Sequence, residues 1–220
     1  MKGYIEVIVK DKDGKIVKRG VHEMHSFLNN FLRVILGEMT ASANPTTPWV
    51  TLATASIIKT DGTSTNINIE AYFDGNYGGG GGVPMAAKAP SGDDSYGIVV
   101  GSGTTSFTLD QYNLISKISN GTGSGQLSYN PVSFSDLGLD TTVSPPVYRF
   151  QLIRSFANLS GGTVTINEVA IFARSYWWKT FYTVQQDIKY IIARDVLPTS
   201  YPVPNGGSAT VAITVEVQVG

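Results

Sequence analysis

The chain has only two histidines, His22 and His25, three residues apart with Glu23 between them. On a helix that spacing would put two imidazoles on one face, the start of a metal site. Zinc needs a third protein ligand, and no Asp, Glu or His follows at a fixed spacing. Both are read as polar residues at the entrance to a helix, replaceable together without loss of function, and no metal is expected. Asp11-Lys12-Asp13-Gly14 opens like a calcium loop but lacks the third acidic ligand and the closing glutamate, so a hairpin turn is expected there. Asp93, Asp94, Glu168 and Asp187 are isolated carboxylates, and acid and nucleophile roles depend on a separation in space that sequence does not supply. Gly101-Ser102-Gly103-Thr104-Thr105-Ser106 invites a phosphate reading. However, no P-loop lysine follows, and Phe107-Thr108-Leu109 does not open a helix. Gly121-Thr122-Gly123-Ser124-Gly125 fails in the same way, and both are read as turns. With no cysteine there is no thiolate ligand, thiol nucleophile or disulfide. No catalytic residue and no cofactor are expected, and the chain is read as a non-enzyme.

The least ordinary feature is aromatic: Tyr176-Trp177-Trp178-Lys179-Thr180-Phe181-Tyr182 holds two of the three tryptophans. Consecutive strand residues point to opposite faces, so Trp177 and Trp178 should not enter the same core. One ring could lie over a sheet edge, meet another subunit, or stack on a sugar. Tyr176, Trp177, Trp178, Phe181 and Tyr182 are the candidate interface or glycan-stacking residues. Asn120-Gly121-Thr122 and Asn158-Leu159-Ser160 match the glycosylation pattern. They carry weight only in a secreted chain, and the N-terminus reaches Glu6 before any apolar run of a signal peptide.

The elements that would position these residues are mostly strands. Ile5, Val7 and Val9 alternate, and Asp13-Gly14 turns the chain toward Ile16-Val17. Phe27, Leu28, Phe31, Leu32 and Ile35 recur at helical spacing behind Ser26 and before Gly37, predicting one short helix at about 27–36. Strands are expected at 50–59, along Ile67 to Phe73, and at 97–101, 114–118, 125–130, 147–157, 163–173, 181–193 and 209–219. In the last of these, Ala209, Val211, Ile213, Val215, Val217 and Val219 share one face. Between Ile166 and Val169 the apolar parity slips, which predicts a bulge or burial on both faces. Residues 74–96, with five consecutive glycines at 78–82, read as a long exposed loop between an N-terminal region (1–73) and a main sandwich (97–220). Many short strands without alternating helices predict a mainly β chain. The expected fold is an antiparallel, jelly-roll-like β-sandwich with one short helix, forming a single domain with strands from the first half.

Composition sets outer limits. The 220 residues are 42% hydrophobic and 15% charged with a net charge of -1, so neither disorder nor a basic nucleic-acid footprint is expected. No apolar stretch approaches the roughly 20 residues of a membrane span. The second half resembles structural proteins of tailed bacteriophages and prophages. The residues that carry this are Gly97–Thr105, Arg154-Ser155-Phe156-Ala157-Asn158-Leu159-Ser160-Gly161-Gly162, Asn167-Glu168-Val169-Ala170-Ile171-Phe172 and Ile192-Ala193-Arg194-Asp195-Val196-Leu197. The resemblance implies a virion component of head, neck or tail, or a capsid decoration. Such a component would be made in a host cytoplasm and present in many copies, with itself and other virion proteins as partners. It supplies no catalytic residue. The competing reading is a carbohydrate-binding sandwich that reads a host glycan.

Overall fold

The structure is a computed structural model that describes residues 2–25, 27–40, 53–69, 81–180 and 183–219. The N-terminal alternation becomes β1 (Lys2–Lys10), with Ile5, Val7 and Val9 fully buried, and the chain returns as β2 (Ile16–Met24). The Asp11 carboxylate accepts the N–H groups of Asp13 (3.0 Å) and Lys15 (2.9 Å), so the aspartates serve the hairpin turn. The helix α1 (Asn29–Thr40) begins two residues later than its apolar spacing predicts and runs through Gly37. The late start has a local cause: Phe27 bridges Ala193, and the Leu28 N–H donates to the Ile192 carbonyl at 2.9 Å, which holds both residues extended. The expected cap, Ser26, lies outside the described residues.

A hairpin of β3 (Ala53–Ile58) and β4 (Ser64–Ile69) packs beneath α1, burying Ala55, Ile57 and Ile67. Buried Asn30 fastens the helix to this hairpin. Its amide donates to the Ile58 carbonyl (2.8 Å) and the Ile191 carbonyl (3.2 Å), while its oxygen accepts the Ile58 N–H (2.8 Å). Next come β5 (Gly81–Ala86), β6 (Gly97–Gly101), β7 (Ser128–Tyr129), β8 (Ser133–Asp140), β9 (Val147–Ala157), β10 (Val164–Thr180), β11 (Thr183–Val203) and β12 (Ser208–Gln218).

All described ladders are antiparallel. One sheet runs β2-β1-β12-β9, with β7 and β8 sharing the far edge of β9. The other runs β11-β10, with β5 and β6 sharing the far edge of β10. The inner faces of the two sheets meet in a common apolar core, and β1 from the start of the chain lies between β2 and the C-terminal β12. The fold is therefore an antiparallel, sandwich-like β structure with one described helix, as the sequence predicts.

Three local expectations change. Residues 81–86 of the glycine-rich stretch form a strand, because β10 extends past β6 and offers unpaired backbone groups that glycines pair with as well as any residue. Beyond that strand Ala89 and Tyr96 are buried, so this part of 74–96 is not an exposed loop, and residues 74–80 lie outside the described residues. The segment 114–118 makes only an isolated bridge, Gly101 to Lys117, and 125–130 contracts to two strand residues. The sequence pattern does not predict strand β8, since Ser, Asp and Gly dilute its alternation. The parity slip does mark a bulge: the β10–β11 ladder shifts between Ile166 and Glu168, and every residue from Glu168 to Ala173 is buried.

A single guanidinium joins the sheets. Arg154 on β9 is fully buried, and each of its five N–H directions ends on a backbone carbonyl. Nε reaches Asn130 (2.7 Å), Nη1 reaches Tyr96 (3.2 Å) and Ile98 (3.0 Å), and Nη2 reaches Pro90 (3.2 Å) and Asp93 (2.5 Å). The group lies 4.7 Å from the Tyr129 ring centre, and burial draws its pKa below the ordinary arginine value. Replacing Arg154 by Met removes a donor from five carbonyls, of which Pro90 keeps the Asp93 N–H, and should cost about 3 kcal/mol or more. Arg154→Lys should recover little, since an ammonium has no planar fork. Urea denaturation reads both as a lowered midpoint, and a midpoint unchanged for Arg154→Met would contradict this role.

Candidate functional site

The histidines do not share a helical face. His22 lies on β2 and His25 just past its end, because the helix begins only at Asn29, after Phe27 and Leu28 dock on β11. The His22 Nε2 meets the Tyr201 hydroxyl at 2.5 Å, while the Asp195 carboxylate accepts the His25 N–H at 2.5 Å and lies 3.3 Å from its ring. Among the described residues no group of three His, Asp or Glu side chains is gathered as a metal site. Burial pulls the His22 pKa below 6.5, with Asp195 opposing and Lys18 assisting.

The other carboxylates also go to separate structural bonds. Asp93 accepts the Ser95 N–H (2.8 Å), and Asp187 pairs with Arg174 and Lys189 (both 2.8 Å). Burial works to raise the Asp94 pKa, but the Asn120 N–H at 2.6 Å and Lys117 at 2.9 Å prevail and hold it low. Asn158, the second candidate sugar acceptor, is fully buried. Its amide donates to the carbonyls of Gly162 (2.8 Å) and Val203 (2.7 Å).

The glycine segment after β6 does bind an anion, and the anion belongs to the chain. Glu168 on β10 is fully buried, and its carboxylate accepts the N–H groups of Gly103 (3.1 Å), Ser116 (2.9 Å) and Ile115 (3.3 Å). Arg194 on β11, equally buried, closes the cluster: Nη2 is 2.6 Å and Nε 2.8 Å from Glu168 Oε2, and Nη2 also donates to the Thr105 carbonyl. A Cβ on Gly101 or Gly103 would come within 2.5 Å of Glu168 Oε1, so both positions require glycine. Neither Glu168–Arg194 nor the Arg154 clamp was assigned a role from sequence. The available signal was a charge embedded in an apolar strand, as in Ile166-Asn167-Glu168-Val169-Ala170 and Ile192-Ala193-Arg194.

The aromatic segment sits on the extended part of β10. Tyr176, Trp177 and Trp178 pair in register with Val83, Gly82 and Gly81 of β5. On the β11 side the ladder shifts between Trp177 and Trp178, so simple two-face alternation does not extend through the pair. Phe181 and Tyr182 lie outside the described residues.

Two features open to solvent. An apolar cleft of about 420 Å3 lies between the sheets, lined by Phe31, Met85, Phe134, Phe150 and Ile192 with Lys88 at its margin. Beside it the inner face of the six-stranded sheet continues outward. Residues facing each other across an antiparallel ladder share a face, which places Tyr148 with Val217 and Leu139, two residues beyond the Phe150–Val215 pair that lines the cleft. The exposures are 38% for Tyr148, 39% for Val217, 56% for Leu139 and 57% for Phe134. No family model matches the chain, and no curated protein or solved structure matches it.

Glu168→Gln should cost about 3–5 kcal/mol, because it leaves Arg194 buried without its counter-charge, and adding Arg194→Met should recover part of that loss. A double-mutant cycle by chemical denaturation measures the coupling, and strictly additive losses would refute it. Unfolded His22 binds its proton more readily than native His22, so stability should fall as pH drops through about 6.5 and His22→Gln should flatten that slope. Thermal melts between neutral and mildly acidic pH test this.

Proposed function

We propose that the chain is a non-enzymatic structural component of a tailed-virus particle, assembling in many copies with itself and other virion proteins. The observation that carries this reading is the uncovered inner face of the six-stranded sheet. Phe134, Leu139, Tyr148 and Val217 form a largely apolar surface that adjoins the cleft, with Asp136 among them accepting the Tyr148 hydroxyl. Contiguous apolar surface of this kind marks a contact with another macromolecule. The fate of the buried charges supports the same reading: Glu168, Arg194, Arg154 and Asp195 all hold backbone or one another, which suits a rigid assembly unit. The phage-like motif residues fall on these structural positions. Arg154, Glu168 and Arg194 are the embedded charges, and Gly101 and Gly103 are the glycines that admit Glu168.

The purified wild-type chain should form multi-copy species by light scattering and electron microscopy. Leu139→Asp together with Tyr148→Asp should return it to monomer with an unchanged circular dichroism spectrum, since both side chains already meet water. Replacing Trp177 and Trp178 by Ala should weaken assembly while leaving part of the sandwich foldable. A wild-type chain that stays monomeric at high concentration and is absent from purified particles would defeat the proposal. Glycan-array binding lost on Trp178→Ala, with no assembly, would favour the carbohydrate reading instead.

A further inference from the structure

The six-stranded sheet ends in two strands with opposite character. At one edge β2 carries Lys18 and Arg19, with His22 and a single anion, Glu23, toward its end. At the other edge β8 carries Asp136 and Asp140 and no cation. No described strand pairs with the outer edge of either one. Their lengths are close, nine residues and eight, so each offers an outer edge of about 27 Å, interrupted on β8 where the Gly138 N–H donates to Asp136 at 2.9 Å. Both also expose apolar side chains that a buried edge would cover: Ile16, Val17 and Val21 on β2, and Phe134, Leu137 and Leu139 on β8, all 49–60% exposed.

We infer that the partner of each edge is the opposite edge of a second copy, β8 of one subunit pairing with β2 of the next so that the sheet continues across the contact. This deepens the self-assembly reading and rests on it. The occupant is selected by charge. Two copies meeting β8 to β8 would oppose Asp136 and Asp140 to themselves, and β2 to β2 would oppose Lys18 and Arg19 to themselves. Only the mixed contact brings the aspartates to the cations. Each charge has a partner within its own subunit that an incoming edge would share, and Arg149 already divides itself between Asp140 and Glu216. Arg19 holds Glu6 at 2.7 Å with its side chain 61% exposed, Lys18 donates to the Ser200 carbonyl, Asp136 accepts the Tyr148 hydroxyl, and Asp140 holds Arg149 at 2.6 Å. The Thr142 hydroxyl and Arg149 keep the Asp140 pKa at about 2, so its charge persists at any working pH. The bulge between Asp136 and Gly138 limits continuous pairing to the segments on either side and pushes Leu137 outward. A contact made between two different edges is head to tail and generates a ring or a filament, not a closed dimer.

The test exchanges the charges. One variant carries Asp136→Lys and Asp140→Lys, the other Lys18→Glu and Arg19→Glu, and circular dichroism melts check that each folds. If either melts early, Asp136→Asn with Asp140→Asn and Arg19→Gln replace them. Each charge-reversed variant alone should associate at least about tenfold more weakly than wild type by sedimentation, and an equimolar mixture should recover assembly, since each then offers the edge that the other needs. Wild-type assembly should also weaken as salt rises. Variants that assemble alone as well as wild type would overturn the edge pairing and leave the self-assembly reading standing, with these charges acting to blunt the edges. A wild-type chain that never associates would overturn both.

Discussion

A buried guanidinium whose partners are all backbone carbonyls is the constraint on which the sandwich rests. Arg154 spans from β9 to the segment that enters β6: four carbonyls between Pro90 and Ile98, with that of Asn130, hold it without a carboxylate. Neutralising a cation with dipoles demands many of them, correctly aimed, so the chain between Pro90 and Ile98 has little freedom once Arg154 is in place. Strand β6 then enters beside β10, and its exit leads Gly101 and Gly103 around Glu168. The two ionic centres are therefore consecutive: one sets where β6 begins, and the other sets how the chain leaves it.

The glycine-rich segment shows why sequence patterns suggest external ligands that a fold supplies internally. Backbone N–H groups converging on an anion are the physical content of a phosphate loop, and Gly103, Ile115 and Ser116 converge in this way on Glu168. The local signal was sound; the identity of the anion lay 52 to 65 residues away in sequence. Likewise the Asp-x-Asp-Gly of the first hairpin collects N–H groups, not calcium.

Elements with strong periodicity were legible. The alternation of Ile5, Val7 and Val9, and of Ala209, Val211, Ile213 and Val215, placed two neighbouring strands and their buried faces, and the parity slip at Ile166 located a bulge. Val217 and Val219 continue that alternation yet are exposed, because the facing sheet does not reach them. Periodicity reports which face a residue occupies, not what stands opposite. The helix start was misplaced for a related reason: Phe27 and Leu28 fit a helical stripe, but β11 offered them backbone partners. Gly81 and Gly82 became strand residues in the same way, through an extended β10 that their own sequence does not foretell. The cleft joins residues from both sheets and the helix, so no window of sequence contains it.

The position of Asn158 bears on how the protein can be made. Its amide nitrogen, the atom to which a glycosyltransferase would attach a sugar, lies inside the fold and holds the turn between Gly162 and Val203. Glycan transfer in a secretory pathway acts on the Asn-x-Ser pattern while the chain is still extended. A chain routed through such a pathway would acquire at Asn158 a group with no room in the native state, and those molecules would be diverted before the two sheets could close. The same sequence translated in a compartment without that machinery meets no such obstacle. The compartment in which the chain is made thus bears on whether this turn can form.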